Sequence, residues 1–331
     1  MIKILWIYKY DPRYNFDHHL HMDVAEDLNN FSNVKVIAYG KGLHESNPRL
    51  CPFSYREDMT LLALYNAIKF DLIIVNTKSR CFDYYCPPLV IGNTEGERRK
   101  GELLPSDFST FNKTPKIMIE EDYHYEVSDD WYKEKGFNLI LQRHYSNFIK
   151  GKEMKSGIEH RFFPFSVDIN KFYDKKLSRI NKITYVGSLS EAYYSDRLQA
   201  LRKLSAYGLL QRDTEKHIVD NCYIDNLNKY VGHLSGQSNF FINPAKNLEI
   251  ISSGSLLISN NHSKAGLEYI LPNDCYISYD DTSSDIVSKV QYILNNSDKR
   301  LEIVEKATKY VRENHNHQIR HQQLLDIIGK I

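Results

Sequence analysis

The sequence lacks a charge excess of either sign: 43 Lys and Arg face 42 Asp and Glu, for a net charge of +1. Non-specific nucleic-acid binding draws on a strong basic excess, so the balance argues against it and leaves only local basic patches. Long apolar runs are missing too. No stretch approaches the ~20 residues that a membrane-spanning helix needs. The N-terminal MIKILWIYKYDPRYN has a short apolar run broken by Lys3 and Lys9, without the longer apolar stretch and small-residue cleavage site of a secretory leader. It reads as a first buried strand. Cysteines are few, odd in number and scattered (Cys51, Cys81, Cys86, Cys222, Cys275), with no CxxC pair to build a zinc site or a disulfide framework. No metal site is expected, and a reduced, cytoplasmic setting fits best.

What is present is the composition of a globular protein, 42% hydrophobic and 26% charged over 331 residues. That length suits two domains of roughly 150 residues each. The 24 tyrosines suit sugar stacking, but biased genome composition explains them as simply.

Short apolar runs alternate with helical stretches. Ile2–Tyr8, Val34–Tyr39, Asp71–Asn76, Lys116–Glu120 and Phe137–Leu141 read as strands, with helices such as His18–Asn29 and Met59–Ile68 between them. The pattern restarts with strands at Lys182–Val186, Lys216–Val219, Asn239–Ile242, Ser255–Ser259 and Cys275–Ser278. Helices are expected at Ser195–Tyr207, Asn247–Ser252 and Ser284–Asn295, and from Lys299 to the end. Continuous apolar strands alternating with helices predict parallel sheets covered on both faces. The expected fold is α/β, two Rossmann-like doubly wound domains facing across a cleft. The join is expected in the Pro-containing segment FFPFSVDINKF, giving domains 1–165 and 166–311, with 312–331 returning to the first. Ligands of such sheets bind beyond the carboxyl ends of the strands.

The second half carries the most specific signal. KITYVGSLSEAYYSDRLQALRKL is a strand, a Gly-Ser turn and a helix. Gly187 allows close backbone approach to a ligand and Ser188 can donate a hydrogen bond. A helix start near Ser195 or Asp196 would present N–H groups to a phosphate, and Arg197 could add bidentate contacts. An ordinary βα turn with a Ser or Asp cap explains the same residues. In NFFINPAKNLEIISSGSLLIS, Glu249 opens a short helix, where a carboxylate can accept both hydroxyls of a ribose. Its plain alternative is a first-turn glutamate favoured by the helix dipole.

Taken in order, these segments resemble the C-terminal domain of the GT-B glycosyltransferases, particularly the CgeB-like, group 1-related branch. The resemblance rests on Tyr185, Gly187 and Ser188 with Tyr194 and Arg197, then "NLEIISSGSLLIS" with Glu249 and Gly254. It continues through "GLEYIL", "YISYDD" and the closing "YVRENHNHQIRHQQLL", and is preceded by Pro164, Asp168 and Phe172 of a "PxxxDxxxF" segment. It implies a nucleotide-sugar donor, UDP-sugar first and GDP- or dTDP-sugar next. Gly187, Ser188 and Arg197 would lie by the diphosphate, Glu249 by the ribose, and the turn with Asn243, Lys246, Asn247 and Leu248 by the diphosphate and sugar, with Tyr194 also in the donor site. Many retaining members carry a second glutamate eight positions before this one; here that position is Phe241. The departure favours inversion of the anomeric centre. The acceptor implied is a glycan or a lipid-linked hydroxyl.

An inverting transferase needs a base for the acceptor hydroxyl. Two clusters qualify: YNFDHHLHMD, where Asp17, His18 and His21 can share a helical face, and EEDYHYE, with Glu121, Asp122 and His124. The preferred candidates are Asp17 and His18, then Asp122 and His124; a solvated helix start and an acidic loop without chemistry are the plain readings. The charged stretches Glu95–Gly101 and Ile149–Gly157 could touch a membrane surface at its inner face, although solvated loops account for both. A nucleotide-sugar epimerase and an inactive nucleotide-sugar-binding scaffold remain the alternatives.

Overall fold

The structure, a computed structural model, describes residues 1–7, 28–40, 59–77, 104–120, 128–153, 157–187, 191–211 and 220–331. The chain divides into two compact units, Met1–Phe163 with Ile327–Ile331, and Pro164–Asp326.

The first unit is built on a six-stranded sheet of β1 (Ile2–Ile7), β2 (Val34–Tyr39), β3 (Leu72–Thr77), β4 (Lys116–Glu120), β5 (Leu139–Gln142) and β6 (Glu159–Phe162). Its order is β2-β1-β3-β4-β5-β6, and every pairing is parallel. Ile4–Ile7 and all of β4 are buried, as parallel strands covered on both faces must be. Helix α1 (Leu61–Ile68) starts at Thr60, whose hydroxyl accepts from Ala63 N, and its first amides donate to the Asp107 carboxylate at 2.7 and 3.0 Å. These contacts satisfy donors that a helix start leaves open. Helix α2 (Asp129–Glu134) is capped in the same way by Ser128, and α3 (Tyr145–Glu153) follows β5. Phe70, Phe108, Phe111, Trp131, Tyr132 and Phe137 fill the core beside the sheet.

The second unit carries a four-stranded parallel sheet, in the order β10-β9-β8-β7. The strands are β7 (Ile180–Thr184), β8 (Tyr230–Leu234), β9 (Leu256–Asn260) and β10 (Ile277–Tyr279). Its helices are α4 (Glu191–Ala206), α5 (Asp220–Lys229), α6 (Lys246–Ser252), α7 (Ile286–Asn295), α8 (Ser297–Asn314) and α9 (His317–Ile328). Ile183, Leu201, Leu204, Leu234, Leu256, Ile258, Val290 and Ile293 pack between sheet and helices.

The structure is α/β with two parallel sheets, as the alternation of runs predicts. One expected strand is replaced. Asn239–Ile242 forms a turn in which Phe241 N donates to Ser238 O and Ser238 N to Ile242 O. Phe241 there has φ 60°, a left-handed conformation foreign to strands. The strand is instead YVGHL, whose five residues are all buried; its Gly-His pair hides the apolar pattern. β6, with sequence EHRF, has no apolar run at all and is held by pairing with β5. β7 ends two residues earlier than the expected Val186, which frees Tyr185–Gly187 to form the loop discussed below. The expected strand Lys216–Val219 and most of the expected helix His18–Asn29 lie outside the described residues.

Candidate functional site

Beyond the carboxyl ends of β7 and β8, the structure brings Gly187, Arg197 and Lys246 close to Tyr185. Beyond β7 the chain passes through Tyr185 and Val186 to Gly187, which has φ 136°. A Cβ on Gly187 would lie 2.4 Å from Lys246 Nζ and 3.0 Å from Tyr185 Oη. The Lys246 ammonium donates to Val186 O and stands 5.7 Å from the Tyr185 ring centroid. The first residue of α6 is thus locked onto the turn after β7.

Arg197 joins the same group. Helix α4 is interrupted at Tyr194 (φ −146°, ψ 44°), so the ring there turns under the arginine. The guanidinium lies 3.8 Å from the Tyr194 ring centroid and 5.5 Å from that of Tyr185, a stacked cation–π arrangement. Nη1 donates to Tyr185 Oη at 3.2 Å and Nη2 to Gly236 O, while Nε is buried with no protein acceptor among the described residues. Burial raises the Tyr185 hydroxyl pKa, with Arg197 opposing it, so the tyrosine stays neutral. The Ser195 amide is not open to a ligand: Asn239 Oδ1 accepts it at 3.1 Å.

Glu249 sits one helical turn beyond Lys246 and is 4% exposed. Its Oε2 accepts a 2.5 Å hydrogen bond from Tyr223 Oη. Burial holds this carboxyl above the usual carboxylate range, against the pull of the Tyr223 bond and of Lys246 and Lys171. The folded protein therefore binds more protons here than the unfolded chain does, and stability falls as pH rises from the ordinary value through the raised one. Above that window the fold carries an ionised, desolvated group. Glu249→Gln is expected to raise the melting temperature at about pH 7.5, with the gain shrinking towards about pH 4.5, where the wild-type carboxyl is protonated. Thermal melts of both proteins across that range check this; an equal shift at every pH would separate the effect from ionisation.

The remaining expected donor residues brace the loops. Asn243 accepts from Gln237 Nε2 at 2.9 Å and donates to Ala265 O at 2.7 Å. Asn247 Oδ1 accepts from Ser235 Oγ at 2.7 Å, leaving its Nδ2 buried and unpaired among the described residues. Leu248 packs in the core. Phe241 lies against His262, the rings tilted by 39° with centroids 4.3 Å apart, and Lys264 Nζ is 5.2 Å from the Phe241 ring centroid. Under the loops, His233 bridges Ser255 Oγ (2.8 Å) and Asn226 Oδ1 (3.3 Å); burial, with Arg179 nearby, pushes it down to about 3, so it stays neutral.

Sequence reasoning missed Tyr223, Gly236 and Gln237. Gln237 ties two loops together, its amide donating to Asn260 Oδ1 and its Oε1 accepting from His262 N. Ser188 and the base candidates Asp17, His18, Asp122 and His124 lie outside the described residues. Among the described residues no three His, Cys, Asp or Glu side chains cluster as a metal site, and no helix is long and apolar enough to cross a membrane.

The turn after β7 is thus gripped by Lys246, beside a buried glutamate on the same helix. Residues 176–326 match the family described as glycosyl transferase-like. The whole chain has the GT-B fold. A glycosyltransferase from Rickettsia africae ESF-5 superposes with a TM-score of 0.65 at 13% identity, covering 99% of this chain and 98% of that one. Sucrose-phosphate synthase from Thermosynechococcus elongatus gives 0.66 at 10% identity, over 100% and 99%. The Anabaena protein HepE (Alr3699), in complex with UDP and glucose, gives 0.62 at 10% identity over 100% of both chains. No curated protein matches the sequence. The family match stands at the level of the broad glycosyltransferase group rather than the CgeB-like branch.

Proposed function

We propose that this glycosyltransferase moves a sugar from a UDP-sugar to a hydroxyl of a glycan or lipid-linked acceptor, with inversion and without a metal ion. The observation that carries the donor reading is Lys246 on the Val186–Gly187 turn with Glu249 one turn further along the same helix. In this reading Glu249 accepts the ribose hydroxyls, and Lys246 meets the charge that develops on the departing diphosphate. Fixed cationic donors in a water-poor site stabilise such charge without reorganising. A UDP donor is favoured because HepE is seen with UDP and glucose. Inversion is favoured by Phe241, which puts an aromatic ring where paired-glutamate enzymes have a carboxylate. The acceptor proton goes to a base proposed among Asp17, His18, Asp122 and His124, the acceptor oxygen bonds to the anomeric carbon, and UDP leaves with the electron pair.

Calorimetric titration with UDP, GDP, ADP, dTDP and CMP tests the donor reading. UDP is expected to bind best, and Glu249→Ala and Lys246→Ala are each expected to weaken it by about tenfold or more, the value of one lost hydrogen bond to a charged group. Folded protein that binds none of the nucleotides overturns the reading. Consumption of UDP-sugar with no acceptor present, giving an epimeric sugar, would instead identify an epimerase.

A further inference from the structure

Among the described residues the Glu249 carboxylate has one side-chain hydrogen-bond partner, Tyr223, and that residue belongs to none of the sequence motifs. Tyr223 lies in the first turn of α5, and its hydroxyl reaches Glu249 Oε2 at 2.5 Å across 26 positions of sequence. The ring is held independently of this bond. It stands edge-on to Phe172, with centroids 6.0 Å apart at 72°. Phe172 in turn offers its carbonyl to Ser252 Oγ at the end of α6. Tyrosine, helix and linker segment thus form a closed circuit around the carboxylate.

A glutamate carboxyl rotates easily about its last torsion, which has broad minima. A carboxylate that must accept two ribose hydroxyls at once needs that torsion fixed and its charge kept. A tyrosine hydroxyl on a packed ring supplies both, because it has few torsions to freeze and donates a charge-assisted bond to the ionised form. We propose that Tyr223 is a positioning residue for donor recognition: it pins Glu249 Oε2 and so presents Oε1 to the ribose hydroxyls. The proposal rests on the reading of Glu249 as the ribose acceptor.

The test compares UDP with 2′,3′-dideoxyuridine diphosphate, which keeps the base and both phosphates and lacks the two hydroxyls. Titrations of wild type, Tyr223→Phe, Glu249→Gln and the double variant give the cycle. Wild type is expected to prefer UDP by about tenfold or more, the worth of a site built to bond a hydroxyl. Tyr223→Phe keeps the ring against Phe172, so its affinity for the dideoxy analogue should stay at the wild-type value. Its preference for UDP should shrink to about twofold or threefold, and in the Glu249→Gln background the same change should add nothing further. The acid limb of UDP binding should also move to higher pH in Tyr223→Phe, because the bond that favours the ionised carboxylate is gone. A Tyr223→Phe protein that keeps the full ribose preference overturns the proposal and leaves the Glu249 reading standing. A wild type that binds both compounds equally overturns the Glu249 reading, and the proposal with it.

Discussion

Arg179→Ala is expected to destabilise the second unit by about 3 kcal/mol, the lower end of the cost of removing one partner from a buried ion pair, because this pair is partly exposed. The guanidinium reaches five acceptors. Nη1 donates to Leu227 O (2.8 Å) and Tyr230 O (3.1 Å); Nη2 to Asp174 Oδ1 (3.1 Å), Asn228 Oδ1 (3.2 Å) and Ser253 O (2.6 Å). These belong to the end of α5, the start of β8, the linker segment and the cap of α6. The arginine therefore closes the carbonyl ends of two helices at once. Its side chain is 13% exposed and that of Asp174 is 25%, so solvent screens the pair only in part. On one side Asp174 packs against Gly254, where a Cβ would come within 2.7 Å of it. Losing the cation leaves the aspartate and three carbonyls short of a donor. At roughly 2–4 °C per kcal/mol for a unit of this size, the melting temperature should fall by about 10 °C. Arg179→Lys should recover less than half, because a point charge cannot span five acceptors in fork geometry. Thermal unfolding followed by circular dichroism measures both. A drop of under about 2 °C for Arg179→Ala would show that the carbonyls are satisfied without it.

The same hub shows where sequence reading stops. β2 and β4 were legible to the residue (Val34–Tyr39 and Lys116–Glu120) because continuous apolar runs mark strands buried on both faces. Glu249 was legible as a charge at the start of a short helix after a Pro-containing turn. Its partner was not. The α5 sequence DNCYIDNLNK is mostly polar, and nothing local announces that Tyr223 reaches a carboxylate on another helix. Arg197 shows the same limit from the other side. Its place in α4 suggested a bidentate phosphate ligand, whereas two of its nitrogens are engaged by Tyr185 and Gly236. Gly236 lies in the loop after β8, a strand that the sequence pattern set too late. Once Asn239–Ile242 is taken as the strand, the loop that holds Arg197 vanishes from view. Local pattern thus located the pieces of the site, while their pairing depended on contacts across tens of residues.

Gly187→Ala should abolish most donor binding while leaving the sheet intact. The backbone there has φ 136°, a region that side chains other than hydrogen rarely occupy, at a strain of about 1–3 kcal/mol. The added methyl would sit 2.4 Å from Lys246 Nζ, so the ammonium must shift and its bond to Val186 O is disturbed. It would also sit 3.0 Å from Tyr185 Oη, the hydroxyl that accepts from Arg197. One methyl group thus pushes on both cations of the proposed diphosphate site. Losing a charge-assisted contact costs about 1.5–3 kcal/mol, or roughly ten- to hundredfold in affinity, and disturbing the second adds to that. The loss of UDP affinity should therefore exceed that of Lys246→Ala, which empties one position without distorting the turn. Lys246→Ala in the Gly187→Ala background should restore room for the methyl, and with it part of the stability, but not the binding. Calorimetry with UDP and thermal melts on the three proteins separate these effects. If Gly187→Ala binds UDP as the wild type does, the turn after β7 is not where the diphosphate lies, and the donor must be sought at other strand ends of this domain.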